Sequence, residues 1–97
     1  MTAPASAEPP VRHNAGASRF EVGKGAHLAV AEYTLTDGGM VFTHTLVPPE
    51  LRGRGLAERL VRAGLELARA EGRRVVPQCS YVATFIQRHP EFQPLLA

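Results

Sequence analysis

The chain reads as a small α/β layered domain with a mixed sheet, and two patterns carry that reading. Three β-rich stretches separated by glycine-containing turns fill the first half, as an antiparallel three-strand meander would. A long amphipathic stretch then leads to a short apolar one. A strand reached through a crossover helix lies parallel to the strand before it, so this fourth strand is predicted parallel to the third. A short helix near the C-terminus completes the order.

The elements follow in turn. Residues 1–16, with Pro4, Pro9 and Pro10 among small and polar neighbours, are expected to be a disordered N-terminal tail. The folded domain is assigned to residues 17–97. A strand is predicted at Arg19 to Val22, and Gly23-Lys24-Gly25 is a turn. A second strand runs from about Ala26 to Leu35, where Ala29 and Ala31 blur the alternation. Thr36-Asp37-Gly38-Gly39 is a hairpin signal. Met40 to Val47, rich in β-branched and aromatic residues, is the third strand. Pro48 and Pro49 lack ladder donors and end it.

The long helix is predicted from about Gly53 to Glu71. At roughly 100° per residue, Leu56, Ala57, Leu60, Val61, Gly64, Leu65, Leu67 and Ala68 fill one half of its circumference. Glu58, Arg59, Arg62, Glu66 and Arg69 fill the other. Gly72 stops it. Arg74 to Pro77 is the fourth strand, Ser80 is the expected N-cap of a helix over 81–88, and His89-Pro90 ends that helix. Phe92, Leu95 and Leu96 should pack the last segment onto the body.

Composition narrows the function. Among 97 residues the formal net charge is +2, which favours acidic ligands only mildly. Residues 50–74 carry seven arginines, but four glutamates interleave with them, as on an ordinary solvated helix face. Tryptophan is absent, so stacking platforms for nucleic acid are scarce, and none is expected as a partner. The single cysteine, Cys79, excludes an internal disulfide and suits a reducing compartment. The N-terminus has neither the basic start nor the apolar run of a secretory signal. A cytoplasmic protein without membrane partner or bound metal, monomeric, is the expectation.

The most informative segment is Val47-Pro48-Pro49-Glu50-Leu51-Arg52-Gly53-Arg54-Gly55-Leu56-Ala57. A strand, a glycine loop and a helix N-terminus in succession make an anion cradle, because unpaired N–H groups and the positive end of the helix dipole converge there. Neither the Gly-x-Gly-x-x-Gly dinucleotide pattern nor the Gly-Lys-Ser/Thr phosphate loop is present. What stands there is Arg52-x-x-Gly55-x-Ala57, which resembles motif A (Arg/Gln-x-x-Gly-x-Gly/Ala) of the GNAT superfamily of acyl-CoA N-acyltransferases.

His44-Thr45-x-Val47-Pro48, Val76-Pro77-x-Cys79-x-Tyr81-Val82 and Arg88-His89-Pro90-Glu91-Phe92 bring the resemblance closer to the minimal, single-domain YjdJ-type branch. It covers nearly all of residues 17–97. The additional C-terminal strands and acceptor-shaping N-terminal helices of longer GNAT enzymes are not expected. The resemblance implies a GNAT-like layered fold and transfer of an acetyl group from acetyl-CoA to an amine acceptor that the sequence does not identify. It implies that the cofactor pyrophosphate is held at residues 52–57 by Arg52, Gly53, Arg54, Gly55, Leu56 and Ala57. Leu46 and Val47 would offer backbone groups to the pantetheine arm. A coenzyme A binding module with little turnover is the alternative.

Acetyl transfer needs a base for the amine, donors for an oxyanion and a proton for the leaving thiolate. Cys79, placed by the resemblance near the thioester, can accept the acetyl group if its thiol is acidic enough, or can simply line the pocket. His44 offers an imidazole, a general base suited to neutral pH, on the strand beside the cofactor. Tyr81 is the candidate acid, although the family's tyrosine usually sits farther along the helix. His27 and His89 are expected on the surface and His13 in the tail.

Overall fold

The computed structural model describes residues 10–97. Five strands, β1 (Arg12–Asn14), β2 (Arg19–Lys24), β3 (His27–Thr36), β4 (Gly39–Leu46) and β5 (Arg74–Pro77), form one sheet in chain order. Helix α1 (Leu56–Glu71) links β4 to β5, and α2 (Ser80–Arg88) follows. The pairs from β1 to β4 are antiparallel, and β5 lies parallel to β4, with Gly39 opposite Arg74 and Phe42 opposite Pro77. The meander, the crossover helix, the parallel fourth predicted strand and the short last helix are all present.

One expectation is corrected. Residues 12–14 were assigned to the disordered tail, yet they pair with β2 as an edge strand. Polar contacts hold them: Arg12 Nη2 and Asn14 Nδ2 reach the Glu21 carboxylate at 3.4 and 2.9 Å. His13, also expected in the tail, stacks on Phe20 at 4.4 Å and its Nε2 meets the Tyr33 hydroxyl at 2.6 Å. Residues 1–9, the rest of the expected tail, lie outside the described residues.

Ala29, Ala31, Tyr33, Met40, Phe42 and Val75 turn one face of the sheet toward Leu60, Val61, Leu65 and Ala68 of α1. Val82, Phe85 and Ile86 of α2 and Phe92 join the same core. Gly64 is where α1 comes closest, since a Cβ there would stand 2.6 Å from Phe42 Cε2. Residues 90–95 form a short 3-10 segment, and Leu96 bridges to Val75, which packs the C-terminus onto the body. His89 is not simply a surface residue: it stacks on Phe85 at 3.9 Å, and its Nδ1 lies 2.7 Å from the Phe85 carbonyl.

Two local features prepare the site. In the β3–β4 ladder Glu32 pairs with His44 while Tyr33 pairs with Phe42, leaving Thr43 unmatched. This bulge flips the alternation beyond it. Thr45 therefore falls on the same face as Phe42, opposite Ala31, and His44 goes to the other face with Glu32. Secondly, β5 stops pairing at Pro77, whereas β4 continues to Leu46. The last residues of β4 thus have no β5 partner.

Candidate active site

The loop after β4 begins with a 3-10 turn at Pro49–Leu51. Arg52 then spans the loop, its Nε donating to the Val47 carbonyl at 3.1 Å. Gly53 and Gly55 take left-handed conformations, with φ of 83° and 73°. Such backbone is natural to glycine and costs about 1–2 kcal/mol for residues with a Cβ. It also explains why α1 starts at Leu56 and not at the predicted Gly53. A Cβ on either glycine would meet nothing within 4 Å, so the space above them is open.

Gly55 is the N-cap of α1 and no side chain caps it. The first amide of this helix to find a carbonyl is that of Arg59, bonded to Gly55 at 3.1 Å. Among the described residues, no protein acceptor meets the N–H groups of Gly53, Arg54, Gly55, Leu56, Ala57 and Glu58. Six consecutive donors without a protein acceptor stand at the positive end of a helix, an arrangement chemically suited to an anion.

Five of these six residues, all but Arg54, line a groove of about 780 Å³. Arg52, Gly53, Gly55, Leu56 and Ala57 form one side. Thr45 and Leu46, from the end of β4 beyond its pairing with β5, line it together with Val47 and with Tyr81 of α2. All but one of the residues singled out as cofactor-binding line this space. The exception is Arg54, which lines a separate cavity behind the loop with Lys24 and His27. Leu28 and Thr45 also line the groove and were not singled out. The missed signal for Thr45 was the bulge, without which simple alternation places it with the opposite face.

Cys79, not the expected Ser80, is the N-cap of α2. Its amide is fixed on the Phe42 carbonyl at 2.9 Å, and its sulfur lies 3.5 Å from Thr45 Oγ1. Burial pushes the thiol up. The Thr45 hydroxyl and the N–H dipoles of Val82, Tyr81 and Thr45 outweigh it and bring the thiol below its ordinary value. No side chain caps α2 with a formed hydrogen bond, so the two helix amides act on the sulfur through their field.

Tyr81 is 40% exposed. Burial, then the Glu58 charge, raise its phenol, against a smaller lowering by Arg88, and it stays protonated at neutral pH. Of the three candidate catalytic residues Tyr81 lines the groove, Cys79 adjoins it through Thr45, and His44 lies on the opposite face of the sheet, with its Nδ1 3.5 Å from Glu32 Oε1. Among the described residues no group of three His, Cys, Asp or Glu side chains is placed to hold a metal ion. No helix among them is long and apolar enough to cross a membrane.

Comparisons with known proteins agree with the fold. The family described as GCN5-related N-acetyl-transferase matches residues 19–95. Protein NATD1 of Bos taurus is 38% identical over 47 residues, a stretch covering 48% of this chain and 42% of that relative. The matched stretch is thus less than half of the curated relative's length. A Staphylococcus aureus protein described as GCN5-like, solved by NMR, superposes with a TM-score of 0.74 over 93% of this chain and 89% of its own, at 24% identity. That likeness concerns the fold.

Proposed function

The chain belongs to the GCN5-related N-acetyltransferase family, and from that premise we propose that it moves an acetyl group from acetyl-CoA to an amine, with the cofactor pyrophosphate on the loop at residues 52–57. The observation that carries this reading is the run of amides from Gly53 to Glu58 without a protein acceptor, opening on a groove of about 780 Å³. The pyrophosphate takes those donors, and Arg52 borders it. The pantetheine arm runs along Leu46 and Val47, where β4 has lost its β5 partner and leaves a strand edge to be extended. The domain spans residues 17–97 in this reading, joined by the edge strand at 12–14.

Chemistry falls beside Thr45, the groove residue whose hydroxyl lies 3.5 Å from the Cys79 sulfur. The Cys79 thiolate attacks the thioester carbonyl, the carbon–sulfur bond to coenzyme A breaks, and the amine nitrogen then takes the acetyl group from Cys79. In the direct route the amine attacks the thioester itself and Cys79 lines the pocket. In either route Tyr81 gives its proton to the departing coenzyme A thiolate, which its retained hydroxyl permits. His44 stands beside Glu32 on the other face of the sheet and takes no part in this step, and the amine proton leaves to solvent water.

Thiol release from acetyl-CoA against a panel of amines tests this. The expected result is amine-dependent release, reduced roughly 10²-fold or more in Cys79→Ala at unchanged circular dichroism. Unchanged release in Cys79→Ala, with loss in Tyr81→Phe, selects the direct route. Binding of acetyl-CoA with no release for any amine makes the chain a binding module, and no binding at all contradicts the reading.

A further inference from the structure

The geometry points to a second anion site behind the loop, one that takes a phosphate monoester. A cavity of about 350 Å³ lies between the β2–β3 hairpin and the start of α1. Lys24, His27 and Arg54 line it together with the apolar Val22, Leu51 and Leu56. Leu51 and Leu56 line the cofactor groove as well, so these two side chains are the wall between the spaces. This site is independent of any acetyl transfer.

Three observations converge. The loop sends Arg54 away from the groove although both of its neighbouring glycines face open space. Lys24 and His27 come from a different part of the chain, held by the hairpin register that pairs them. None of the three meets a carboxylate among the described residues, and all three are exposed to solvent. Two permanent cations and an imidazole around an apolar floor match a group carrying about 1.5–2 negative charges near neutral pH with a flat apolar body beneath it. A volume of this size is at the small end for ligand pockets.

That phosphate belongs to a small molecule separate from coenzyme A, whose own 3′-phosphate, folded back over the Leu51–Leu56 wall, is the competing outcome. Both are tested by titrating the full chain, Lys24→Glu and His27→Ala with adenosine 3′-phosphate, inorganic phosphate, coenzyme A and coenzyme A lacking its 3′-phosphate, followed by amide NMR shifts. Adenosine 3′-phosphate should move the amides of residues 23–27, with affinity about tenfold weaker in Lys24→Glu and less reduced in His27→Ala.

Weaker binding of coenzyme A to Lys24→Glu, with its dephosphorylated form unaffected, assigns the site to the cofactor and overturns the separate ligand. Binding of adenosine 3′-phosphate to the chain already saturated with coenzyme A assigns it to a separate ligand. The proposal is overturned if no phosphate probe moves these amides, or if affinity is equal in the wild type and both variants. Failure of coenzyme A to enter the groove would count against the acetyl-transfer reading and leave this readout intact.

Discussion

Thr45 decides the character of Cys79. A thiol at a helix N-cap already feels two favourable amides, and the hydroxyl 3.5 Å away adds a donor to the charged form. Burial alone would push the other way. Alkylation of Cys79 by iodoacetamide should therefore reach half its limiting rate at a pH below the roughly 8.5 of free cysteine. Thr45→Val should move that midpoint upward. A wild-type midpoint at or above the free value, or no response to Thr45→Val, would show that burial prevails. The same contact measures what simple alternation could not supply. Cys79 and Tyr81 were legible as residue types near a strand end, but Thr45 reaches the sulfur only because Thr43 is bulged out of the ladder.

At the level of elements, the loop and α1 act together. Gly53 and Gly55 each take a left-handed conformation, and successive amides find no protein acceptor before helical bonding begins at Arg59. This was readable, because two glycines two residues apart ahead of an amphipathic run leave little else for the backbone to do. The helix start was not readable to the residue: apolar periodicity continues smoothly through positions whose backbone is not helical. Gly64 belongs to the opposite end of the argument. Alanine there would gain about 1 kcal/mol of helix propensity. Its Cβ would collide with the buried Phe42 ring, however, and overpacking of this kind costs about 1–3 kcal/mol. Gly64→Ala should lower the denaturant midpoint, and a midpoint at or above wild type would mean that α1 can lift off the sheet without loss.

For the whole molecule, the network on Glu21 joins β1 to the rest. Asn14 and Arg19 hold the Glu21 carboxylate below the usual range, burial opposes them, and Arg12 adds to the lowering. A carboxylate depressed in the native state contributes stability above its unfolded pKa, about 4.3. That contribution is lost as pH falls through the native value. Glu21→Gln should therefore lower stability at pH 7 and flatten its decline in acid; an unchanged acid limb would assign the decline to other groups. β1 escaped sequence reading for a physical reason. Arg12, His13 and Asn14 carry no apolar pattern, and their partners Phe20, Glu21 and Tyr33 come later in the chain. The sheet order and the crossover were legible because apolar periodicity and turn residues act locally. The edge strand and the placement of His44 on the far face depend on pairings that only the assembled fold creates.

The central claim is that the loop amides bind the cofactor's diphosphate. It is tested most directly by titrating the ¹⁵N-labelled chain with acetyl-CoA and following each backbone amide. The account predicts saturable shifts that are largest at Gly53, Arg54, Gly55, Leu56 and Ala57, together with loss of binding in Gly55→Val. Saturation elsewhere on the molecule with these amides unmoved would contradict it.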